Sequence, residues 1–104
     1  MMSKALAELF GTFSVVFIGA GSIGLCEKYP QIFPAYTIPV AWGLIIALMI
    51  FLVSPVSGAH FNPAVTLAFA AAKRIPISQI YIYWGSQLCG GLIAIGLLEA
   101  IKKI

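Results

Sequence analysis

Charge is the scarcest commodity in this chain. Only 9% of its 104 residues are Asp, Glu, Lys or Arg, against about a quarter in a typical soluble domain. So few charges cannot give a globule of this length a water-facing surface. That argues against a soluble fold and for a surface that faces lipid. Cysteine is nearly absent as well. Cys26 and Cys89 stand far apart, match no metal-ligand or redox spacing, and read as small apolar fillers. The chain carries no metal cluster, no nucleophile–base pair and no phosphate-cradling loop. Neither enzymatic chemistry nor a cofactor is therefore expected. The basic residues are scattered in small groups instead of being massed on one face. They read as anchors at a membrane interface, not as a nucleic-acid patch.

What the chain has in abundance is apolar sequence, 62% of all residues. A helix needs ~20 apolar residues to cross the hydrocarbon core, and three stretches qualify: residues 6–25, 37–53 and 77–98. Between the first two lies a segment with Glu27, Lys28, Pro30, Pro34 and Pro39, which reads as a loop. Lys4 ahead of an apolar run suggests a cleaved signal peptide. Glu8 inside that run, and the lack of a clear small-residue cleavage site, argue against one.

Residues 54–74 depart from this pattern. Ser54, Pro55, Ser57 and Gly58 break helical sequence, so one continuous span is excluded there. Yet residues 63–72 are apolar and rich in alanine. Asn62 is a favourable N-cap, and Pro63 suits the first helical position, where its missing N–H costs nothing. Ten residues give a helix of ~15 Å, about half the hydrocarbon thickness. A half-length apolar helix behind a polar loop predicts a re-entrant segment over residues 54–72. Such backbone is tolerated at membrane depth only where it is buried in protein or lines a water-filled cavity. Lys73 and Arg74 then fall at the helix C-terminus, where they complement its dipole and reach the interface.

The run Ser57-Gly58-Ala59-His60-Phe61-Asn62-Pro63-Ala64-Val65-Thr66 resembles the signature loop of the aquaporin and glycerol-facilitator family. Ala7-Glu8-Leu9-Phe10-Gly11-Thr12-Phe13 through Gly19-Ala20-Gly21-Ser22 looks like that family's first helix, and Tyr83-Trp84-Gly85-Ser86-Gln87 through Gly90-Gly91 like its third. The resemblance covers essentially the whole chain but only half of the family's usual architecture, which joins two inverted repeats of three spans and one half-helix each. It implies an all-α membrane protein made of one such repeat, resident in the cell membrane. The partner implied is a second, inverted copy of the chain. Clustering of such pores into a tetramer-like assembly is left open. Charge agrees with two orientations: Lys4, Lys73 and Arg74 fall on one side of the membrane, and Lys28, Lys102 and Lys103 on the other. A balance of three against three provides no positive-inside bias.

The resemblance also assigns roles. Asn62, Pro63 and Ala64 form the pore motif, Asn62 offering its amide donor at the midplane, and His60 and Phe61 line the path. Glu8 supports the loop with help from Gln87. The constriction maps to Trp42, Ile50, Ala59 and Val65, three of them supplied by the partner copy. Trp42 resembles the glycerol facilitators more than strict water channels. Where the family's second motif usually continues with arginine, this chain has Val65, so the filter lacks a fixed cation. Ser86, Gly90 and Ala94 recur four apart and read as a packing stripe. The implied function is passive passage of water or small neutral solutes such as glycerol. Two other readings remain open on the residues alone. One is a proton-coupled small multidrug transporter using Glu8, which needs a fourth full span; the other is a membrane scaffold that conducts nothing.

Overall fold

Apolar sequence without proline produces the two longest helices. α1 spans Met2–Lys28, and α4 spans Ile80–Lys102 after a 3-10 turn at Ile77–Gln79. Between them lie α2, Thr37–Ser57, and the short α3, Pro63–Ala71. This computed structural model describes residues 1–102, and those are helical and loop throughout, with no strand among them. Among the described residues, three helices are long and apolar enough to cross a membrane: α1, α2 and the unit Ile77–Lys102. With an extent of 47 × 25 × 20 Å, the molecule is long enough to pass the ~30 Å hydrocarbon core. Nine-residue α3, at ~14 Å, is not.

The helix ends differ from the sequence expectation in an instructive way. α2 was expected to stop near Val53, yet it runs on to Ser57 with Pro55 inside it. A proline removes one N–H and disturbs the turn before it. Only two further residues follow Pro55, so the helix loses little by continuing. The stop comes instead at Gly58, whose φ of 90° closes the helix with an N–H bond to the Ser54 carbonyl at 2.9 Å. Glycine takes that left-handed conformation without strain. Pro39, expected in the preceding loop, sits in the first turn of α2, where N–H groups lack helical acceptors anyway. α1 and α4 extend past residues 6–25 and 77–98 because their charged ends reach beyond the apolar core. Lys103, one of the six cations in the charge balance, lies outside the described residues.

α1 is the centre of the bundle, packed on one side against α2 and on the other against α4. Its buried stripe runs Ala7, Glu8, Gly11, Thr12, Val15, Gly19 and Ser22. Facing it, α4 buries Tyr83, Gln87, Gly90 and Ala94. A Cβ at Gly90 would press into the backbone of Leu9 and Phe13, so the missing side chain is what lets these helices touch. The expected stripe is thus right at Gly90 and Ala94 and off by one at its start. Ser86 is only half-buried, and Gln87 faces the core. Steps of four drift around a helix of 3.6 residues per turn, which carries Ser86 to the edge. α2 is the most apolar helix and buries only Met49 and Ser57 within the chain, leaving nearly all its surface to lipid or to another protein.

Candidate functional site

The loop between α2 and α3 departs from ordinary backbone at three of its five residues. Gly58, Ala59 and Phe61 all have φ in the left-handed region, at 90°, 55° and 56°. For the two residues with a Cβ this costs about 1–2 kcal/mol each. What holds them is Glu8 of α1, which has no accessible surface. Its Oε2 accepts from Ser57 Oγ at 2.7 Å and from the His60 N–H at 3.0 Å. Its Oε1 accepts from the Phe61 N–H at 2.9 Å and from Gln87 Nε2 at 2.9 Å. All four partners donate, and each oxygen receives two of them. A carboxylate is suited to this because it is purely an acceptor and charge-assisted bonds are the stronger kind. Glu8 is therefore committed to the loop and has no surface on which to meet a cationic substrate. The segment expected to need a fourth span for a transporter instead holds the half-helix α3.

A second layer surrounds this contact. Gln87 Nε2 also donates to Thr66 Oγ1 at 2.9 Å, and His60 Nδ1 lies 2.9 Å from the same hydroxyl. The His60 ring is flanked by Tyr83 and Phe69, with centroids at 4.4 and 4.6 Å. Tyr83 donates its hydroxyl to the Ser57 carbonyl at 2.6 Å. From α4, Trp84 Nε1 donates to the Pro63 carbonyl at 3.0 Å and so braces the first turn of α3. Two buried polar atoms stay outside the network, Thr12 Oγ1 and Gln87 Oε1.

Toward α3 the chain becomes exposed. Asn62 caps α3 through Oδ1, which accepts from the Ala64 N–H at 2.8 Å. That bond fixes the amide, so its Nδ2 donor points away from the helix start and is free. Asn62, Pro63 and Ala64 are all exposed. Among the described residues, no hydrogen bond reaches the carbonyl oxygens of Gly58, Ala59, His60 or Phe61. Carbonyls without a partner inside the chain need water, a solute hydroxyl or another protein surface to satisfy them. His60 is itself buried but borders a recess of about 410 Å³ that also holds Lys4, Arg74 and Tyr83.

The remaining sequence-derived positions do not converge within one chain. Trp42 is half-buried with its ring seated over Gly19, where any Cβ would strike it. It lies sixteen residues before Gly58 on α2, ~24 Å from the loop. Ile50 is exposed two turns further along the same helix. Ala59 is buried in the loop, and Val65 on α3 is 37% exposed. Phe61 is half-buried with its ring over Gly11. Sequence reasoning assigned no part to Ser57, Thr66, Tyr83 or Trp84. A signal for one of them existed: Tyr83 places a polar group one turn before Gln87 on the buried face of an apolar helix.

The sequence profile of the family described as "Major intrinsic protein" matches residues 1–104. Nodulin-26 of Glycine max is 37% identical over 100 residues, covering 96% of this chain and 37% of the relative. Aquaporin NIP1-1 of Oryza sativa subsp. japonica is 42% identical over 100 residues, 94% of this chain and 34% of its own length. Aquaporin Z of Brucella melitensis is 38% identical over 104 residues, 99% of this chain and 46% of the relative. The chain thus spans less than half the length of these relatives.

Proposed function

The chain belongs to the family of major intrinsic proteins, whose profile matches residues 1–104, and from that premise we propose that it forms a passive channel for water and small neutral solutes such as glycerol, completed by a second copy in inverted orientation. The observation that carries this reading is the two-sided loop. Its inner side is filled by Glu8, while its outer side presents four free carbonyls and the Asn62 amide.

The chemistry follows from that arrangement. A water or hydroxyl entering past His60 meets successive acceptors and gives up its hydrogens to them. At Asn62 the polarity reverses and the solute oxygen accepts instead. An inverted copy brings a second Asn62 to the same depth, and two donors occupy both lone pairs of one oxygen. A water held that way cannot pass a proton along a chain of waters, and the two positive α3 ends repel cations. The same inversion carries the partner's Ile50, Ala59 and Val65 toward Trp42, which a single chain leaves ~24 Å from its own loop. The resulting constriction is apolar and admits small neutral solutes without an arginine to sort them.

Osmotic shock of proteoliposomes tests the reading. We expect swelling and shrinking that need no ion gradient, and loss of most of that flux in Asn62→Leu. Flux that requires a proton gradient, or an Asn62→Leu variant as permeable as the parent, overturns it. Inverted pairing has its own check, since C-terminal tags should report both sides of the membrane. Tags confined to one side sink the pairing.

A further inference from the structure

Three of the six cations, Lys4, Lys73 and Arg74, gather at one end of the molecule, whereas Lys28 and Lys102 at the other end lie beside Glu27 and Glu99. Lys4 opens α1, while Lys73 and Arg74 follow α3 at the same end. Of the acidic residues, Glu8 is enclosed by the loop, and Glu27 and Glu99 lie at the far ends of α1 and α4. Arg74 borders two adjoining recesses. One, of about 340 Å³, adds Lys73, Ile75, Pro76 and Ile77; the other, of about 410 Å³, adds Lys4. Lys4 is held in place by donating to Gln79 Oε1 at 3.3 Å.

Two further features single out this end. Lys73 closes α3 with φ of 62°, its N–H bonded to the Ala70 carbonyl and the Arg74 N–H to that of Phe69, at 3.0 and 2.8 Å. This is the helix-ending position that glycine fills without strain, yet a lysine occupies it. Strain of that sort tends to mark functional positions. Below the cations, Ile77 and Tyr81 are 76% and 71% exposed and one turn apart, so an apolar strip descends from the charged rim.

We propose that this end binds the headgroup of an anionic phospholipid. Its phosphate sits at Arg74 between Lys73 and Lys4, and its acyl chains lie along Ile77 and Tyr81. Guanidinium offers paired donors to phosphate oxygens, and lysines add point charge on either side. The recesses lie at the ends of the spanning helices, where headgroups are found. A free phosphate would use the cations but leave the apolar strip without a role. The inference does not depend on conduction or on pairing of two copies.

Titration of the full chain in neutral detergent with phosphatidylglycerol, and separately with phosphatidylcholine, tests it by native mass spectrometry. The anionic lipid should bind more tightly. Lys73→Gly and Arg74→Gln should each weaken it about fivefold without changing the zwitterionic lipid. Lys28→Gln, at the opposite end, should leave the preference intact. Because Lys73→Gly relaxes the backbone, it should melt no lower than the parent, so its weaker binding cannot be ascribed to unfolding. A preference that survives the Lys73→Gly/Arg74→Gln double variant, or that Lys28→Gln weakens equally, overturns the proposal. So does inorganic phosphate displacing the lipid at equal concentration, which would make this a site for free anions.

Discussion

Behind the re-entrant loop, polar groups are matched almost one to one. Glu8 accepts four hydrogen bonds, Thr66 joins Gln87 to His60, and Tyr83 takes the last carbonyl of α2. In front of it, four carbonyls and the Asn62 amide have no protein partner among the described residues. The two faces belong to the same few residues, so the difference is not one of composition. Around the left-handed residues Ala59 and Phe61, the N–H groups of His60 and Phe61 turn to Glu8, while the carbonyls of residues 58–61 take no partner among the described residues. The bonds behind hold the strain that makes the front usable. At membrane depth a loop this polar would have to meet water or protein on its unpaired side, and the inverted copy we propose would provide that surface.

The largest expected effect comes from removing the rear face. Glu8→Ala deletes the acceptor for Ser57, His60, Phe61 and Gln87 at once and leaves the donors of Ser57, His60 and Phe61 without partners, while Gln87 Nε2 keeps Thr66 Oγ1. Each orphaned group costs about 1–3 kcal/mol, so a loss of about 3 kcal/mol or more follows. Thermal unfolding in detergent measures it, and we expect little folded protein at ordinary growth temperature. Glu8→Gln should fall between, because its amide keeps one acceptor oxygen but sets an N–H against donors. A Glu8→Ala protein that melts near the parent would show that the two faces are independent.

A smaller effect tests the junction between the faces. Trp84 reaches α3 from the side, and its indole N–H on the Pro63 carbonyl is the only bond from α4 to the half-helix backbone among the described residues. Trp84→Phe keeps an aromatic ring at this half-exposed position and removes the donor, at a cost of about 1 kcal/mol. If α3 orientation sets Asn62, water flux through proteoliposomes should fall by more than the loss of folded protein accounts for. Flux that falls only in proportion to folded protein would confine Trp84 to packing.

How far the sequence carried this picture depends on the range of the interaction. The three spans, the Asn62 cap and the half-helix were legible because each rests on local composition and adjacent residues. Glu8 stood out because an acid in an apolar run demands a partner. Its actual partners are 49 to 79 residues away, and nothing local names them. Pro55 misled for a related reason. Helix-breaking propensity is local, but tolerance of Pro55 came from its place near the end of α2 and from Gly58 after it. Ser86 was misplaced because a stripe of small residues fixes spacing without fixing which neighbouring residue faces the core.

Thr12 supplies the finest test, because its hydroxyl and Gln87 Oε1 are the two unpaired buried side-chain polar atoms among the described residues. It is 5% exposed, one turn beyond Glu8 on the buried stripe of α1, and its hydroxyl has no partner. If the rear face is built for complete pairing, this hydroxyl contributes nothing to it and carries a desolvation cost instead. Valine has nearly the same shape and no hydroxyl, so Thr12→Val should raise stability by up to about 1 kcal/mol. Thr66→Val provides the contrast, since Thr66 joins Gln87 to His60 and its loss should destabilise. The two substitutions delete the same atom type from equally buried sites, and thermal unfolding of both gives opposite signs. A loss of stability in Thr12→Val would mean that its hydroxyl is bonded in the membrane, and the matched face would then extend a full turn further along α1.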